Sequence, residues 1–347
     1  WAIASRGQTY CSMERYTEAL EDFDRVIELN SKSTWAIASR GETYRLMEQY
    51  TEALQDFDCA IELDPKLDWA ITLRGETYRS MKRYTEALQD FDCAIELDPK
   101  LDWAIAHRGQ TYRLMERYPQ ALEDFDRAIE LNPKSAWAIA SRGETYRLMK
   151  RYPEALEDFD RAIELDPKYA WAIALRGETY RSMKRYTEAL QDFDCAIELD
   201  PKLDWAIANR GYTYLMLKLY NEALADFNRA IDLDSDSNWK LYNRALAYQA
   251  LNQPDKARAD LALAIKLAKQ DYEKDPQNWN NAFNLALYYL AAQYNQPAEQ
   301  LYRYVLSQSA SLERIHAAIQ HLNDFLTVFP DHVQATSMRQ LLQSSLT

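Results

Sequence analysis

A period of 34 residues is the feature that most limits how this chain can fold. Only Trp279 falls outside a tryptophan series that consists of Trp1, Trp35, Trp69, Trp103, Trp137, Trp171, Trp205 and Trp239. All the glycines keep the same step, from Gly7 to Gly211, each six residues after its tryptophan. Self-similarity at a period of this size indicates a stack of one supersecondary unit. We therefore expect function on the surface of the stack, since a solenoid has no single closed core.

Charge and hydropathy exclude several classes of function. The chain has 54 Asp and Glu residues against 41 Lys and Arg, and its formal net charge of −13 repels a phosphate backbone. We therefore expect a basic or neutral protein or peptide as the partner, and no nucleic acid. No run of about 18 apolar residues and no secretory signal pattern occurs, so we predict no membrane association and a cytoplasmic location.

The cysteines do not have the spacing of a metal or disulfide site. Cys59, Cys93 and Cys195 share one repeat position and Cys11 stands elsewhere, so neighbours in the set are at least 34 residues apart. This spacing favours small, semi-buried free thiols in a reducing compartment. The chain also begins in the middle of a repeat, at Trp1, so we expect it to be part of a longer protein with further sequence upstream.

The repeat over 137–170 contains two helical patterns separated by a turn. Ile139, Gly143 and Tyr146 share one face of the first helix, and the second helix has the same spacing of apolar residues. Pro153 suits the first turn of the second helix, and Pro167 cannot continue it. Gly143 lies in mid-helix, where glycine costs about 1 kcal/mol relative to alanine, so we expect the paired helix to approach it closely.

This repeat resembles the tetratricopeptide signature. The residues that carry the resemblance are Ile139, Gly143, Tyr146, Ala155, Phe159, Ala162 and Pro167. The resemblance extends from residue 1 to about residue 270, with Trp137 two residues before the usual tryptophan position and Arg142 in place of a leucine. It implies an all-α fold, a right-handed α-solenoid superhelix of helix-turn-helix repeats. It also implies a protein or peptide partner on the concave face and no cofactor.

Fidelity to the repeat divides the chain into four parts. We predict seven regular repeats over 1–238, a divergent eighth over 239–270, a degenerate ninth over 271–310 and capping helices over 311–347. A larger period is superimposed on the regular part, because residues 73–106 are identical to residues 175–208, at an offset of 102. This offset indicates duplication of a three-repeat block, and we expect the array to tolerate changes in repeat number.

The resemblance also implies which side chains line the concave face, because first helices line that surface in tetratricopeptide arrays. The candidate partner-binding residues there are Trp35, Trp69, Trp103, Trp137, Trp171, Trp205, Trp239, Glu144, Arg147, Glu178, Arg181, Asn209, Tyr212, Met216, Tyr242 and Asn243. The Glu and Arg of one helix are three residues apart and are expected to balance each other's charge. Two interpretations of the tryptophans stay open. They either fasten each repeat to the preceding one or anchor a partner, since Trp and Arg are common at binding hot spots.

The C-terminal third departs from the regular repeats, and a discrete ligand site, if there is one, is expected there. The residues that replace the regular set are Asn209, Tyr212, Leu215, Met216, Tyr242 and Asn243, and the alternative is a transition towards the cap. For the row of arginines from Arg6 to Arg244, we favour packed stems with solvated head groups over a track for phosphates. The carboxylate clamp of some tetratricopeptide co-chaperones is not expected, because Trp, Ala and Glu or Gln stand at the corresponding positions.

No pattern of catalytic residues emerges. The histidines, which are His107, His316, His321 and His332, neither recur with the repeat nor pair with a nearby cysteine. Carboxylates of the second helices, such as Glu157, Asp158 and Asp160, are expected to form a solvated outer face. We therefore predict a protein-binding module that is not an enzyme.

The wider role of such an array is predicted only by analogy. Long, nearly identical arrays resemble the C-terminal sensor regions of bacterial STAND-type signalling ATPases, so we expect a sensor or adaptor part of a larger signalling protein. One alternative is a structural or self-assembling spacer that joins chains through exposed repeat ends. Another is a substrate-docking arm of an attached enzyme.

Overall fold

The repeats fold into pairs of helices. A computed structural model describes residues 1–308 and 310–346, and this part of the chain contains 20 α-helices and no strand. The predicted all-α fold is confirmed. Ser309, in the predicted ninth repeat, and Thr347, at the end of the predicted cap, lie outside the described residues. The chain divides into two compact units, unit 1 (Trp1–Pro167) and unit 2 (Lys168–Thr347).

Unit 1 consists of helix pairs. Its first helices are α1 (Ala2–Ser12), α3 (Thr34–Leu46), α5 (Asp68–Ser80), α7 (Asp102–Leu114) and α9 (Ala136–Leu148). Its second helices are α2 (Tyr16–Leu29), α4 (Tyr50–Leu63), α6 (Tyr84–Leu97), α8 (Tyr118–Leu131) and α10 (Tyr152–Leu165). Successive first helices contact one another directly, and within the described residues of unit 1 successive second helices make no comparable contact. The first helices therefore lie on the inner side of the stack.

Unit 2 begins with the same arrangement. Its first helices are α11 (Ala170–Ser182), α13 (Asp204–Met216), α15 (Asn238–Ala250) and α17 (Trp279–Ala291). Its second helices are α12 (Tyr186–Leu199), α14 (Tyr220–Leu233), α16 (Pro254–Lys274) and α18 (Asn295–Ser307), and it ends with α19 (Leu312–Val328) and α20 (Val333–Ser344). Helix α19 does more than close the end of the stack, because it packs on α17 and also reaches back to α13.

Close approach of the two helices explains the glycine in each repeat. A Cβ added to Gly143 would lie 3.0 Å from Cβ of Asp158 and 3.1 Å from Cε1 of Phe159. Phe159 and Ala155 are fully buried on the facing helix. The predicted close approach is therefore confirmed, and it offsets the cost of glycine in mid-helix.

A left-handed residue that is not glycine forms the turn inside each repeat. The residues with positive φ, from 56° to 64°, are Glu14, Glu48, Lys82, Glu116, Lys150, Lys184, Lys218, Asn252 and Gln293. At Lys150, the turn lets the N–H of Arg151 donate to the carbonyl of Tyr146 at 2.9 Å. The turn thus satisfies carbonyls at the end of the first helix, and the left-handed residue pays a conformational cost.

The thiols are more exposed than predicted. Cys11 is half-buried, but Cys59, Cys93 and Cys195 are exposed. These three stand on the outer side of second helices, where other repeats have an arginine such as Arg127. The prediction of semi-buried thiols is therefore wrong for all but Cys11.

Candidate functional site

A row of ion pairs that was not predicted from the sequence joins the two helices in each of the first eight repeats. Arg142 on α9 donates from Nε and Nη2 to the two carboxylate oxygens of Asp158 on α10, at 2.8 and 2.6 Å. Its Nη1 donates to Asp126 on the preceding second helix at 2.7 Å. The same three bonds recur at Arg40, Arg74, Arg108 and Arg210.

This row corrects two predictions. The head group of Arg142 is neither freely solvated nor open to a phosphate, because carboxylates accept from it and its hydrogen bonds with Asp158 raise its pKa. Asp158 is only 3% exposed, so it does not belong to a solvated face, although Glu157 beside it is exposed. The signal in the sequence is that this Arg and an Asp 16 residues later both recur with the repeat.

Tryptophan side chains run along the inner face of unit 1, which we define as Trp35, Trp69, Trp103 and Trp137 with the Glu and Arg of their helices. Trp35 is 37% exposed, and the other three are half-buried. The ring of Trp35 stands edge-on to Phe23 of the preceding repeat, at 5.9 Å between centroids. The ring of Trp35 thus packs against the preceding repeat, and partner binding by the tryptophans of this face stays a prediction.

The charges of the inner face are paired between repeats. Nη1 of Arg45 lies 3.5 Å from Oε2 of Glu76 in the next repeat, and the corresponding distance from Arg113 to Glu144 is 3.0 Å. Within one helix, Nη2 of Arg147 is 3.9 Å from Oε1 of Glu144. The expected balance of charge within each helix is therefore secondary to a balance across the repeat boundary.

His107 interrupts this regular pattern. Its ring lies 4.7 Å from the ring of Trp137, and its Nε2 lies 2.7 Å from Oε1 of Glu76. Burial alone would raise the pKa of Glu76, but the hydrogen bond and charge of His107 outweigh it and lower the pKa to about 2. Nη1 of Arg79 donates to Oε1 of Gln110 at 2.9 Å and lies 2.9 Å from Nδ1 of His107. The prediction from sequence did not include this cluster, although His107 and Gln110 both depart from the neighbouring repeats.

In unit 2, the residues predicted to form a discrete site are covered by α19. Tyr212, Met216, Tyr242 and Asn243 are all buried. With Trp239 and three residues of α19, they line a cavity of about 30 Å³, which has room for little more than a water molecule. Their partner-binding role therefore stays a prediction that requires displacement of α19.

Polar contacts hold α19 in this position. The Tyr212 hydroxyl donates to Oδ2 of Asp324 at 2.6 Å, and Asp324 also accepts from Gln320 at 2.7 Å. Burial raises the pKa of Tyr212 well above its usual value and lowers that of His321. The guanidinium of Arg181 lies 5.0 Å from the centre of the Tyr212 ring, and the charges of Arg181 and Asp324 have opposite effects on the pKa of Tyr212.

The remaining predicted residues of unit 2 lie outside this cavity. Asn209 donates to the carbonyl of Trp205 on its own helix at 2.8 Å. The ring of Trp171 lies 5.8 Å from that of Tyr169. Glu178 lies 3.6 Å from Arg181 within one helix.

Neither a membrane-spanning helix nor a cluster of metal-ligating side chains occurs in the described residues. No helix there has both the length and the apolar character needed to cross a membrane. In residues 1–308 and 310–346, no group of three or more His, Cys, Asp and Glu side chains is placed to hold a metal ion.

Several solved structures are similar to parts of this chain. A tetratricopeptide repeat protein from Parabacteroides merdae is 18% identical, with a TM-score of 0.56 over 74% of this chain and 97% of that one. The structure of pilF from Pseudomonas aeruginosa is 17% identical, with a TM-score of 0.51 over 61% of this chain and 93% of that one. YrrB, described as a TPR protein with an unusual peptide-binding site, is 27% identical, with a TM-score of 0.40 over 53% of this chain and 95% of that one.

Models of one family match most of the chain. The description of each is tetratricopeptide repeat, and the matched residues are 1–32, 35–67, 69–101, 103–135, 136–169, 170–203, 206–237 and 241–271. No curated protein matches the chain. Proteins with these repeats are generally non-catalytic scaffolds that bind proteins or peptides. The helix pairs and the matched repeats together show that this chain belongs to the tetratricopeptide repeat family.

Proposed function

We propose that this chain is a protein-binding module without catalytic activity and that the inner face of unit 1 binds a helical segment of a partner. The observation that carries this proposal is the position of α19 in unit 2. This helix packs on α13 and α17, and together with α15 these helices enclose the cavity beneath it. A face of this type therefore accepts a helix, a common mode of peptide recognition.

The inner face of unit 1 offers a similar surface with no helix of unit 1 upon it. Trp137 is the equivalent of Trp239, which lines the cavity beneath α19. The tryptophans of unit 1 keep part of each ring exposed between repeats, and rings of this kind provide apolar contact area at low entropic cost. A partner that covers these rings would displace water from them and from the semi-buried Arg and Glu side chains.

Selected peptides would test this proposal. Peptides from a random display library, selected on the full chain, are expected to lose affinity at least about tenfold when Trp69, Trp103 and Trp137 are all replaced by alanine. The matched control replaces Glu62, Glu96 and Glu130, which are exposed on the second helices, and should bind the same peptides unchanged. Isothermal titration measures the affinities, and circular dichroism verifies that both variants are folded.

The same measurement separates the alternative functions. Peptides that bind the tryptophan variant and the parent equally well would contradict the proposal. Concentration-dependent oligomers that the tryptophan substitutions leave unchanged would favour a self-assembling spacer. Analytical ultracentrifugation of the parent and of the variant measures this outcome.

We further propose that the module is the sensor or adaptor part of a larger bacterial signalling protein that acts in the cytoplasm. The support for this role is the near identity of the repeats, which resembles the sensor arrays of signalling ATPases. Free cysteines, three of them exposed, fit a reducing compartment. Expression of the full reading frame with and without residues 1–347 and measurement of its nucleotide hydrolysis tests this role. Nucleotide hydrolysis that is regulated equally with and without residues 1–347 would contradict this role.

A further inference from the structure

The three-repeat duplication provides an internal comparison between the two units. Residues of the first block correspond to residues 102 positions later, and residues 73–106 and 175–208 are identical. Arg79 on α5 therefore corresponds to Arg181 on α11. The identity ends at His107, which corresponds to Asn209, and Gln110 corresponds to Tyr212.

In the segment of unit 2 that corresponds to Arg79 and Gln110, a tyrosine binds a carboxylate. Asp324 of α19 accepts a hydrogen bond from Tyr212 at 2.6 Å, and Tyr212 lies beneath the guanidinium of Arg181. The charges of both Asp324 and Arg181 act on Tyr212 and on His321. Helix α19 thus brings an acidic side chain to the tyrosine that the Arg of this repeat position covers.

In the corresponding segment of unit 1, Arg79 has no carboxylate opposite it in the next repeat. Arg45 and Arg113 each face a glutamate there, but Arg79 faces Gln110, a neutral amide, and a nitrogen of His107. Glu76 on the helix of Arg79 is already engaged by His107 at 2.7 Å. Burial lowers the pKa of Arg79, and the charges of Arg45 and Arg113 lower it further against the effect of Glu76.

An unpartnered buried group occurs at the same place in both copies. Asn243 lines the cavity beneath α19, is 1% exposed, and its Oδ1 has no hydrogen-bond partner. The corresponding residue of unit 1 is Ser141, which is also 1% exposed and whose Oγ has no partner. Ser141 lies one helical turn from Trp137, whose ring contacts His107. A buried polar group without a partner is costly unless a ligand or water satisfies it.

We propose that the surface formed by Arg79, Trp103, His107, Gln110 and Trp137, which we call the Arg79 patch, binds an Asp or Glu side chain of the helical partner. The proposal rests on the function proposed above for the inner face of unit 1. Arg79 forms the ion pair with the incoming carboxylate, and the two tryptophan rings pack against the adjacent methylene groups. The partner is neutral or basic as a whole, in keeping with the charge of the chain, and carries this acidic residue on the face that it buries.

Two peptide libraries built on residues 311–329 would test the Arg79 patch. They differ only in having Asp or Asn at the position of Asp324, and their other exposed positions are randomised. Only binders that are lost when Trp103 and Trp137 are replaced by alanine are scored, since α19 of the chain already covers the inner face of unit 2. On the parent chain, peptides with Asp should bind about tenfold more tightly than the same peptides with Asn.

Gln110→Glu should remove this preference, because the new carboxylate pairs with Arg79. Gln8→Glu is the matched control, since it adds the same charge at the same repeat position of α1 and should leave the preference unchanged. The carboxylate site would be overturned if tryptophan-dependent binders showed no preference for Asp, or if Gln110→Glu left that preference intact. Neither result would overturn the function of the inner face. Absence of any tryptophan-dependent binder would contradict both.

Discussion

At the residue scale, the ion pair between helices of one repeat carries a large energetic consequence. Asp158 is buried and both of its oxygens accept from Arg142, so its charge is compensated only while that arginine is in place. Burial raises the pKa of Asp158, and the hydrogen bonds and charge of Arg142 oppose this rise. Removal of Asp158 leaves Nε and Nη2 of the half-buried Arg142 without their carboxylate, while Asp126 still accepts from Nη1.

We therefore expect Asp158→Ala to lower the free energy of unfolding by about 3 kcal/mol. Glu157→Ala, one residue away and exposed, should change it by less than about 0.5 kcal/mol. Urea denaturation followed by circular dichroism measures both values, and hydrogen exchange in α9 and α10 locates the effect. Equal midpoints for the two variants would show that the pair contributes nothing to stability.

At the element scale, the turn within each repeat has an unfavourable left-handed residue that the packing of the helix pair requires. The left-handed residue ends the first helix and directs the chain into the second, so that Gly143 meets Phe159 at close range. Lys150 adopts this conformation although its Cβ makes a positive φ unfavourable, a penalty that glycine does not have. The repeated use of Glu, Lys, Asn and Gln at this position indicates that packing of the helix pair outweighs the local cost.

We expect Lys150→Gly to raise the free energy of unfolding by about 1 kcal/mol, because glycine adopts positive φ without steric penalty. Lys134→Gly, at an exposed loop position without positive φ, should instead lower it slightly. Thermal melts of the two variants beside the parent measure these changes. A lower midpoint for Lys150→Gly than for Lys134→Gly would contradict the prediction.

At the scale of the whole molecule, each unit is a stack in which a repeat contacts its neighbours. Stability in such a stack is close to a sum of repeat and interface contributions, so a register-preserving change in repeat number leaves every interface type intact. The identity of residues 73–106 and 175–208 makes this condition easy to meet. Helix α19 adds contacts of longer range within unit 2, from Asp324 to Tyr212.

Deletion of residues 73–174 should therefore give a folded protein. The junction joins Thr72 to Leu175 and restores the local sequence that Thr72 and Leu73 have in the parent. We expect an unchanged ellipticity per residue at 222 nm and a cooperative thermal transition. Deletion of residues 73–157 leaves a partial repeat and should disrupt the fold. Aggregation of the register-preserving deletion to the same extent would contradict the prediction.

Repeat period and helix spacing by themselves determined the helix pairs, the position of the turns and the burial of Gly143, Ala155 and Phe159. These features depend on residues within one repeat, so a local pattern contains them. The pairing of Arg142 with Asp158 was not foreseen, because a charge recurring on a helix face looks solvated until the facing helix is placed.

Only the tertiary structure decided which inner face is covered and which arginine has no carboxylate opposite it in the next repeat. The sequence of α19 did not predict its packing across α13 and α17. That packing depends on Tyr212 and on other residues lining the cavity, which are distant from α19 in sequence. The position of Arg79 between Gln110 and His107 likewise follows from the stacking of one repeat on the next. A sequence period determines what each repeat is, whereas contacts between distant residues determine what its surface can bind.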